Sequence, residues 1–189
     1  VLFATGVSVV CALLVATAAV GLRDKQEANA QLYKQKNVLL AASLAKEKGY
    51  DQVLWTDATE HKWLQEVGMM NVFFIINNVA ITPSLEEGTI LEGVTRASVM
   101  QGLKEMGISV EERKINIDEV VEAYKSGKIT EVFGTGTAAV IAPIKELNYK
   151  GFEMHFNTDT YKISGSVKKW LADIREGRES DKYGWMVKV

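Results

Sequence analysis

The sequence predicts an α/β fold of mixed sheet and flanking helices from about Lys46 onward, preceded by a long apolar N-terminal helix. Three observations predict it. Asn71–Ile76 reads NVFFII, a strongly β-prone run of branched and aromatic residues. Thr95–Met106 sets Val99, Met100, Leu103 and Met106 at helical spacing, and Gly107 follows as a stop. Segments of these two kinds then recur in turn toward the C-terminus, the pattern of an α/β protein.

The elements follow in order. Gln52–Trp55 reads as a short apolar strand ending at Thr56-Asp57. After NVFFII, Asn77-Asn78 suits a hairpin turn, because Asn tolerates positive φ. Val79–Thr82 returns as the partner strand, and Pro83 ends it. Ile108–Ile115 alternates as a strand, and Asp118–Lys125 reads as a helix closed by Gly127. Ile129–Phe133 and Ala138–Ile144 read as strands separated by a GTGT turn. Gly165–Arg175 is the last helix, with Val167, Trp170, Leu171 and Ile174 on one face. No internal repeat or low-complexity linker appears.

Upstream the chain changes character twice. Residues 1–22 carry no charged side chain. About 20 apolar residues suffice to cross a bilayer as a helix, so a membrane anchor is expected. A secretory signal peptide with a cleavage site near Ala16–Ala18 is the alternative. Residues 23–45 form a polar helical connector, rich in good helix formers at its start. Its positive charges at Arg23, Lys25, Lys34 and Lys36 favour a cytoplasmic C-terminal side. The division expected is therefore 1–22, 23–45 and 46–189. The chain begins at Val1 rather than Met, so a fragment or an incomplete reading frame is also expected.

Composition narrows the function classes. In 189 residues, 47% hydrophobic and 24% charged content permits a sizeable core. A net charge of −2 offers no concentrated basic face for nucleic acid. One cysteine, Cys11, excludes an internal disulfide framework and a cysteine-based zinc site. His61 and His155 are too few and too far apart in sequence to suggest a metal.

Three segments carry candidate chemistry. In EVGMMN (Glu66–Asn71) an acid precedes the apolar strand. In LEGVTR (Leu91–Arg96) a glycine turn opens a helix, whose unpaired N–H groups and dipole favour an anion. In FGTGTAA (Phe133–Ala139) hydroxyls and backbone donors cluster. Each has an ordinary structural reading as well. Gly-Val-Thr helix starts are common, GTGT serves as a tight turn, and Glu66 alone reads as a solvated strand-end carboxylate.

Taken in order, QVLWTD, EVGMMNVFF, LEGVTR and FGTGTAAVIAPI resemble the corresponding segments of branched-chain amino-acid aminotransferases, as does the final helix KISGSVKKWLADIREGRESDKYGWM. That family has the class IV, pyridoxal-phosphate-dependent fold, of which residues 46–189 resemble the C-terminal domain. The resemblance implies transfer of an amino group between leucine, isoleucine or valine and 2-oxoglutarate, with an amino acid and a 2-oxo acid as small-molecule partners. It also implies a cytoplasmic homodimer with no metal. Glu66 would face the pyridinium nitrogen of pyridoxal phosphate. Val94 and Thr95 would hold its phosphate through backbone N–H groups, and Thr137 would join that site. Thr137 and Ala138 would receive the substrate α-carboxylate, and Gln52 would lie near the cofactor.

The sequence departs from the family at several positions. Glu92 stands where proline is usual, adding a charge near the phosphate or pointing to solvent. Met69 stands where threonine is common near the ring. Ala139 and Ala142 replace a Cys-x-x-Cys pair found in some relatives. The lysine that the family joins to the cofactor should fall near Gln31 or Leu32, in a segment like Lys-x-Gly-Gly-Asn-Tyr, and no such motif is present. Lys34 and Lys36 lie close by, but QLYKQKN reads as a polar helix. The family's N-terminal domain is not represented either, and the chain alone is expected to be inactive. Residues up to about Leu40 instead resemble the N-terminal anchor of the C subunit of sodium-translocating NADH:quinone reductase. A chimera joined between Asn37 and Lys46 is thus expected, with a membrane-anchored respiratory subunit as the alternative function. That subunit's Ser-Gly-Ala-Thr flavin motif is absent, since Ser164-Gly165-Ser166-Val167 lacks the threonine.

Overall fold

The structure is a computed structural model that describes residues 36–187 continuously and, upstream of them, residues 11, 12, 21, 23, 25, 28 and 32. The expected membrane helix over 1–22 lies almost wholly outside the described residues. Among the described residues, no helix is long and apolar enough to cross a membrane. The chain divides into two compact units, Val1–Val53 and Leu54–Val189.

In the first unit, helix α1 covers residues 36–47. It ends at Gly49, whose φ of 84° only glycine adopts freely. The Tyr50 N–H then returns to the Ala45 carbonyl at 2.9 Å and the Gly49 N–H to that of Lys46 at 3.0 Å, satisfying carbonyls that the helix end leaves open.

The second unit is built on a seven-stranded mixed sheet. Its strands are β1 (Leu54–Thr56), β2 (Leu64–Val67), β3 (Met70–Ile76), β4 (Val79–Thr82), β5 (Ser109–Glu112), β6 (Ile129–Gly136) and β7 (Val140–Pro143). Strands β8 (Glu146–Tyr149) and β9 (Phe152–His155) form a separate hairpin. Strand β3 is central. One edge pairs with β2 at its start and β4 at its end, and the other edge pairs with β6. All pairings are antiparallel except that of β4 with β5. The Asn77-Asn78 turn joins β3 to β4 with φ values of 50° and 63°, as its residue type predicted.

Helices cover both faces. Helices α2 (Val94–Glu105) and α4 (Ile163–Arg175) pack with Phe73, Ile75, Phe133 and Ile141 on one side. Helix α3 (Ile117–Lys125) and the β8–β9 hairpin pack with Val72, Phe74, Ile76 and Val132 on the other. Successive strand side chains point to opposite faces, so Val72–Ile76 is apolar throughout because each face meets its own core. Phe73 and Phe133, directly paired across β3 and β6, stack with centroids 5.3 Å apart.

Several expectations shift. The strand expected over Ile108–Ile115 is only Ser109–Glu112, because it pairs with β4 alone. Beyond it the Ile115 carbonyl accepts from the Leu64 N–H, and Asn116 bridges Trp63. The expected strand Ile129–Phe133 extends to Gly136, so the turn is Thr137–Ala139 rather than GTGT. Space explains it: a Cβ at Gly134 would lie 2.9 Å from Met70 Cε, and one at Gly136 3.1 Å from Met70 Cγ. These glycines are strand residues that make room for Met70. The β8–β9 hairpin and β2 were not read from the sequence.

Two buried carboxylates organise the backbone around the sheet. Asp57 accepts from the backbone N–H groups of Thr59, Glu60, Lys62 and Trp63 at 2.6–3.1 Å, shaping the loop between β1 and β2. These bonds, the one from Glu60 foremost, hold its carboxyl well below the usual carboxylate range. Glu131 reaches from β6 to the start of α4 and accepts from the N–H groups of Lys162, Ile163 and Ser164 at 2.7–2.8 Å. Lys162 at the N-cap position provides no side-chain cap, so a residue more than thirty positions upstream caps this helix.

A depressed carboxyl pKa in the folded state stabilises the fold above the unfolded value of about 4, and this contribution is lost as pH falls below it. The stability advantage of the native chain over Asp57→Asn is therefore expected to be full at pH 7 and to shrink below about pH 4, read from urea unfolding at both pH values. Glu131→Leu strands three helix N–H groups and is expected to lose roughly 2–3 kcal/mol in the same assay.

Candidate cofactor site

The three chemistry-bearing segments meet at one end of the sheet. Glu66 in β2 pairs with Asn71 in β3, and Asn71 pairs with Thr135 in β6. Directly paired residues share a face. Asn71 also alternates with Phe73 and Ile75 along β3, so this polar row lies on the side covered by α2 and α4. The antiparallel pairing brings the end of β6 beside the start of β3, so the turn Thr137–Ala139 emerges at the same end.

Helix α2 begins there too. Glu66 is half-buried, and its Oε1 accepts from the Leu91 N–H and from Asn71 Nδ2, each at 3.3 Å. Asn71 Nδ2 donates as well to the Leu91 carbonyl at 2.9 Å. Gly93 is the N-cap residue of α2 and sits directly against Asn71. It provides no side-chain cap, and the first turn of α2 holds no acid. Asn116 caps α3 and Glu131 caps α4, whereas the start of α2 has no side-chain cap.

The opening of α2 is held from behind. Arg96 is buried, donates to the Pro83 carbonyl at 3.1 Å and pairs with Glu112 at 3.1 Å. Its Nε is buried without a hydrogen-bond partner. Glu92 is exposed beside the turn.

Of the residues singled out in the sequence, Glu66, Val94, Thr95, Thr137 and Ala138 come to this one end. Val94, Thr137 and Ala138 are exposed, and Thr95 is half-buried. Gln52 is exposed and belongs to the first compact unit. Lys34 lies outside the described residues, and Lys36 is exposed on α1. Met69 (95% exposed), Leu91 and Val94 are exposed apolar residues in these same segments.

Two residues escaped the sequence reading. Asn71 is the one polar residue opening an otherwise apolar buried strand, a signal that was available. Thr135 is 1% exposed, and its Oγ1 has no hydrogen-bond partner. Its polarity was visible in the sequence, but its burial was not. Val140, which follows the turn, holds a φ of 57° that β-branched residues avoid. Strain of this kind accompanies ligand-binding turns.

Comparison with known proteins agrees with this geometry. The family profile described as amino-transferase class IV matches residues 19–147. That match runs through 23–45, the stretch expected to contain a join, and marks no boundary there. The chain is 46% identical over 152 residues to the probable branched-chain-amino-acid aminotransferase of Staphylococcus epidermidis. It is 47% identical over the same length to branched-chain-amino-acid aminotransferase 2 of Bacillus subtilis. Each alignment takes in 80% of this chain and 42% of the relative, so the chain spans less than half the length of these curated relatives. Among solved structures, the branched-chain amino acid aminotransferase from Escherichia coli superposes with a TM-score of 0.66 at 25% identity, covering 80% of this chain and 47% of that one. The enzyme from Thermoproteus uzoniensis, solved with norvaline, gives 0.65 at 29% identity over 80% and 46%. An aminotransferase from Brucella abortus bound to its cofactor pyridoxal phosphate gives 0.60 at 25% identity over 73% and 44%. These likenesses give no support to the quinone-reductase resemblance of the N-terminal residues. With the profile covering more than half its length and the fold shared, the chain belongs to the class IV aminotransferases.

Proposed function

We propose that this chain supplies the cofactor-holding part of a pyridoxal-phosphate-dependent branched-chain amino-acid transaminase. The longer protein would move an amino group between leucine, isoleucine or valine and 2-oxoglutarate. The observation that carries this reading is the convergence of Glu66, the uncapped start of α2 and the turn after β6 at one end of one sheet. The identity of 46–47% to curated branched-chain aminotransferases supports the substrate class. The homodimer and the cytoplasmic setting implied by the resemblance belong to the same reading.

The residues present fit the cofactor. A phosphate suits a helix start with free N–H groups, where the dipole adds favourable potential. The N–H groups of Val94 and Thr95 hold it, and the Thr137 hydroxyl adds a further donor. The orphaned Thr135 hydroxyl, buried in the same polar row, is a polar group that a ligand would satisfy. Glu66 accepts from the pyridinium N–H and keeps that nitrogen protonated. Bound pyridoxal phosphate supplies an electron sink for the carbanion formed at the substrate α-carbon. The backbone at Thr137 and Ala138 would bind the substrate carboxylate. Gln52 is assigned near the cofactor on resemblance alone. The charge of Glu92 weakens the phosphate site slightly, and its exposure lets water and salt screen it.

Glu66→Gln is expected to weaken pyridoxal phosphate binding about tenfold or more, the scale of one charge-assisted hydrogen bond. Absorbance titration of the 189-residue chain checks it, and unchanged affinity would remove the ring-nitrogen role. Because no lysine stands in the family's motif, borohydride reduction of the complex is expected to leave no site-specific adduct. Mass mapping of a reduced adduct to Lys34 or Lys36 would show that a substitute lysine exists.

A further inference from the structure

We propose that Asn71 is a positioning residue that locks the Glu66 carboxylate to the turn opening α2, and that position 93 is glycine because this carboxamide occupies the space. The inference rests on the cofactor reading above and goes beyond it. It names the part that sets the distance between the ring-nitrogen subsite and the phosphate subsite.

The geometry of Asn71 carries the argument. Its backbone is fixed between β2 and β6, and its side chain is buried. Through one nitrogen it donates to Glu66 Oε1 at 3.3 Å and to the Leu91 carbonyl at 2.9 Å. The Leu91 N–H closes the ring by donating to the same carboxylate oxygen at 3.3 Å. A carboxylate and a turn from two different elements thus share one amide as their common partner. Each bond alone is modest. Together they leave neither the carboxylate nor the turn free to rotate away from the other.

Gly93 supplies the independent observation. Its φ of −73° and ψ of 126° are open to any residue, so backbone freedom does not require glycine here. Space does. A Cβ at this position would lie 2.2 Å from Asn71 Oδ1, far inside contact distance. The α2 turn approaches Asn71 this closely only because position 93 has no side chain. An alanine there must push the turn, the carboxamide or both out of place.

The test uses the full chain and deoxypyridoxine phosphate, a cofactor analogue without the aldehyde, whose binding needs no lysine. Affinity is read by fluorescence titration, with circular dichroism and thermal melts identifying folded variants. Binding is expected for the native chain and about tenfold weaker for Asn71→Ala and for Gly93→Ala. The double variant is expected to bind no more weakly than Asn71→Ala alone, since removing the carboxamide clears the space the added Cβ needs. The ring nitrogen of the bound probe, followed by absorbance, should lose its proton at lower pH in Asn71→Ala than in the native chain, because Glu66 is no longer held in place. A merely structural role would lower the melting temperature without moving that titration or producing the suppression. If Asn71→Ala fails to fold, Asn71→Asp keeps the side-chain shape and removes the donor, and the same loss is expected. Native affinity in the folded Asn71 variants, or single losses that multiply in the double variant, would overturn the inference. Failure of the native chain itself to bind the probe would overturn the cofactor reading, and this inference with it.

Discussion

Strand β3 is the constraint on which the rest of the second unit depends. Phe73, Phe74 and Ile75 are wholly buried, and β3 is paired along both edges. Complete burial of each such side chain is worth about 1.5–3 kcal/mol, and the Phe73–Phe133 stack adds roughly 1 kcal/mol. Removing water from both faces obliges the backbone amides of this strand to find partners; β2, β4 and β6 pair with it, and the Val72 carbonyl accepts from the Thr82 hydroxyl. The central strand therefore sets the register of its neighbours. A slip of one residue would carry the whole apolar set to the wrong core.

The candidate site inherits its precision from that register. Glu66, Asn71 and Thr135 line up because three strands are locked in phase by apolar burial several residues away. The polar row occupies the end of β3 where the apolar run begins. There the sheet stops filling a core and starts to face the opening of α2. Rigid strands thus present the acid, while a helix start and a short turn present backbone donors. Arg96 and Glu131 serve the same arrangement from behind, one holding the α2 opening against the sheet and the other closing α4, whose Trp170 packs against Gly102 of α2.

Among the three α-helices described in this unit, the differing treatment of their N-termini is informative. Asn116 caps α3 in the ordinary local way, and Glu131 caps α4 from a distant strand. The opening of α2 carries neither kind of cap, and the apolar side chains of Leu91 and Val94 beside it are exposed. The free donors, the half-buried acid and the unpartnered Thr135 hydroxyl are complementary to an anionic, aromatic ligand. The Brucella abortus relative is bound to a ligand of that class.

Local pattern determined by itself the elements whose signals are local. The apolar run of β3, the Asn77-Asn78 turn, the return strand Val79–Thr82 and the helices α2, α3 and α4 all follow from residue type and spacing within a few positions. The ordered wording of four motifs determined the family. Tertiary structure alone decided what depends on neighbours distant in sequence. It placed Gly134 and Gly136 in a strand rather than a turn, because Met70 fills the space beside them. It gave Glu131 to the N-terminus of α4 and bound Glu66 to the Leu91 turn through Asn71. Propensity reports what a residue favours on its own. Burial, steric room and hydrogen-bond partners across strands belong to pairs of residues, and they exist only once the chain has folded.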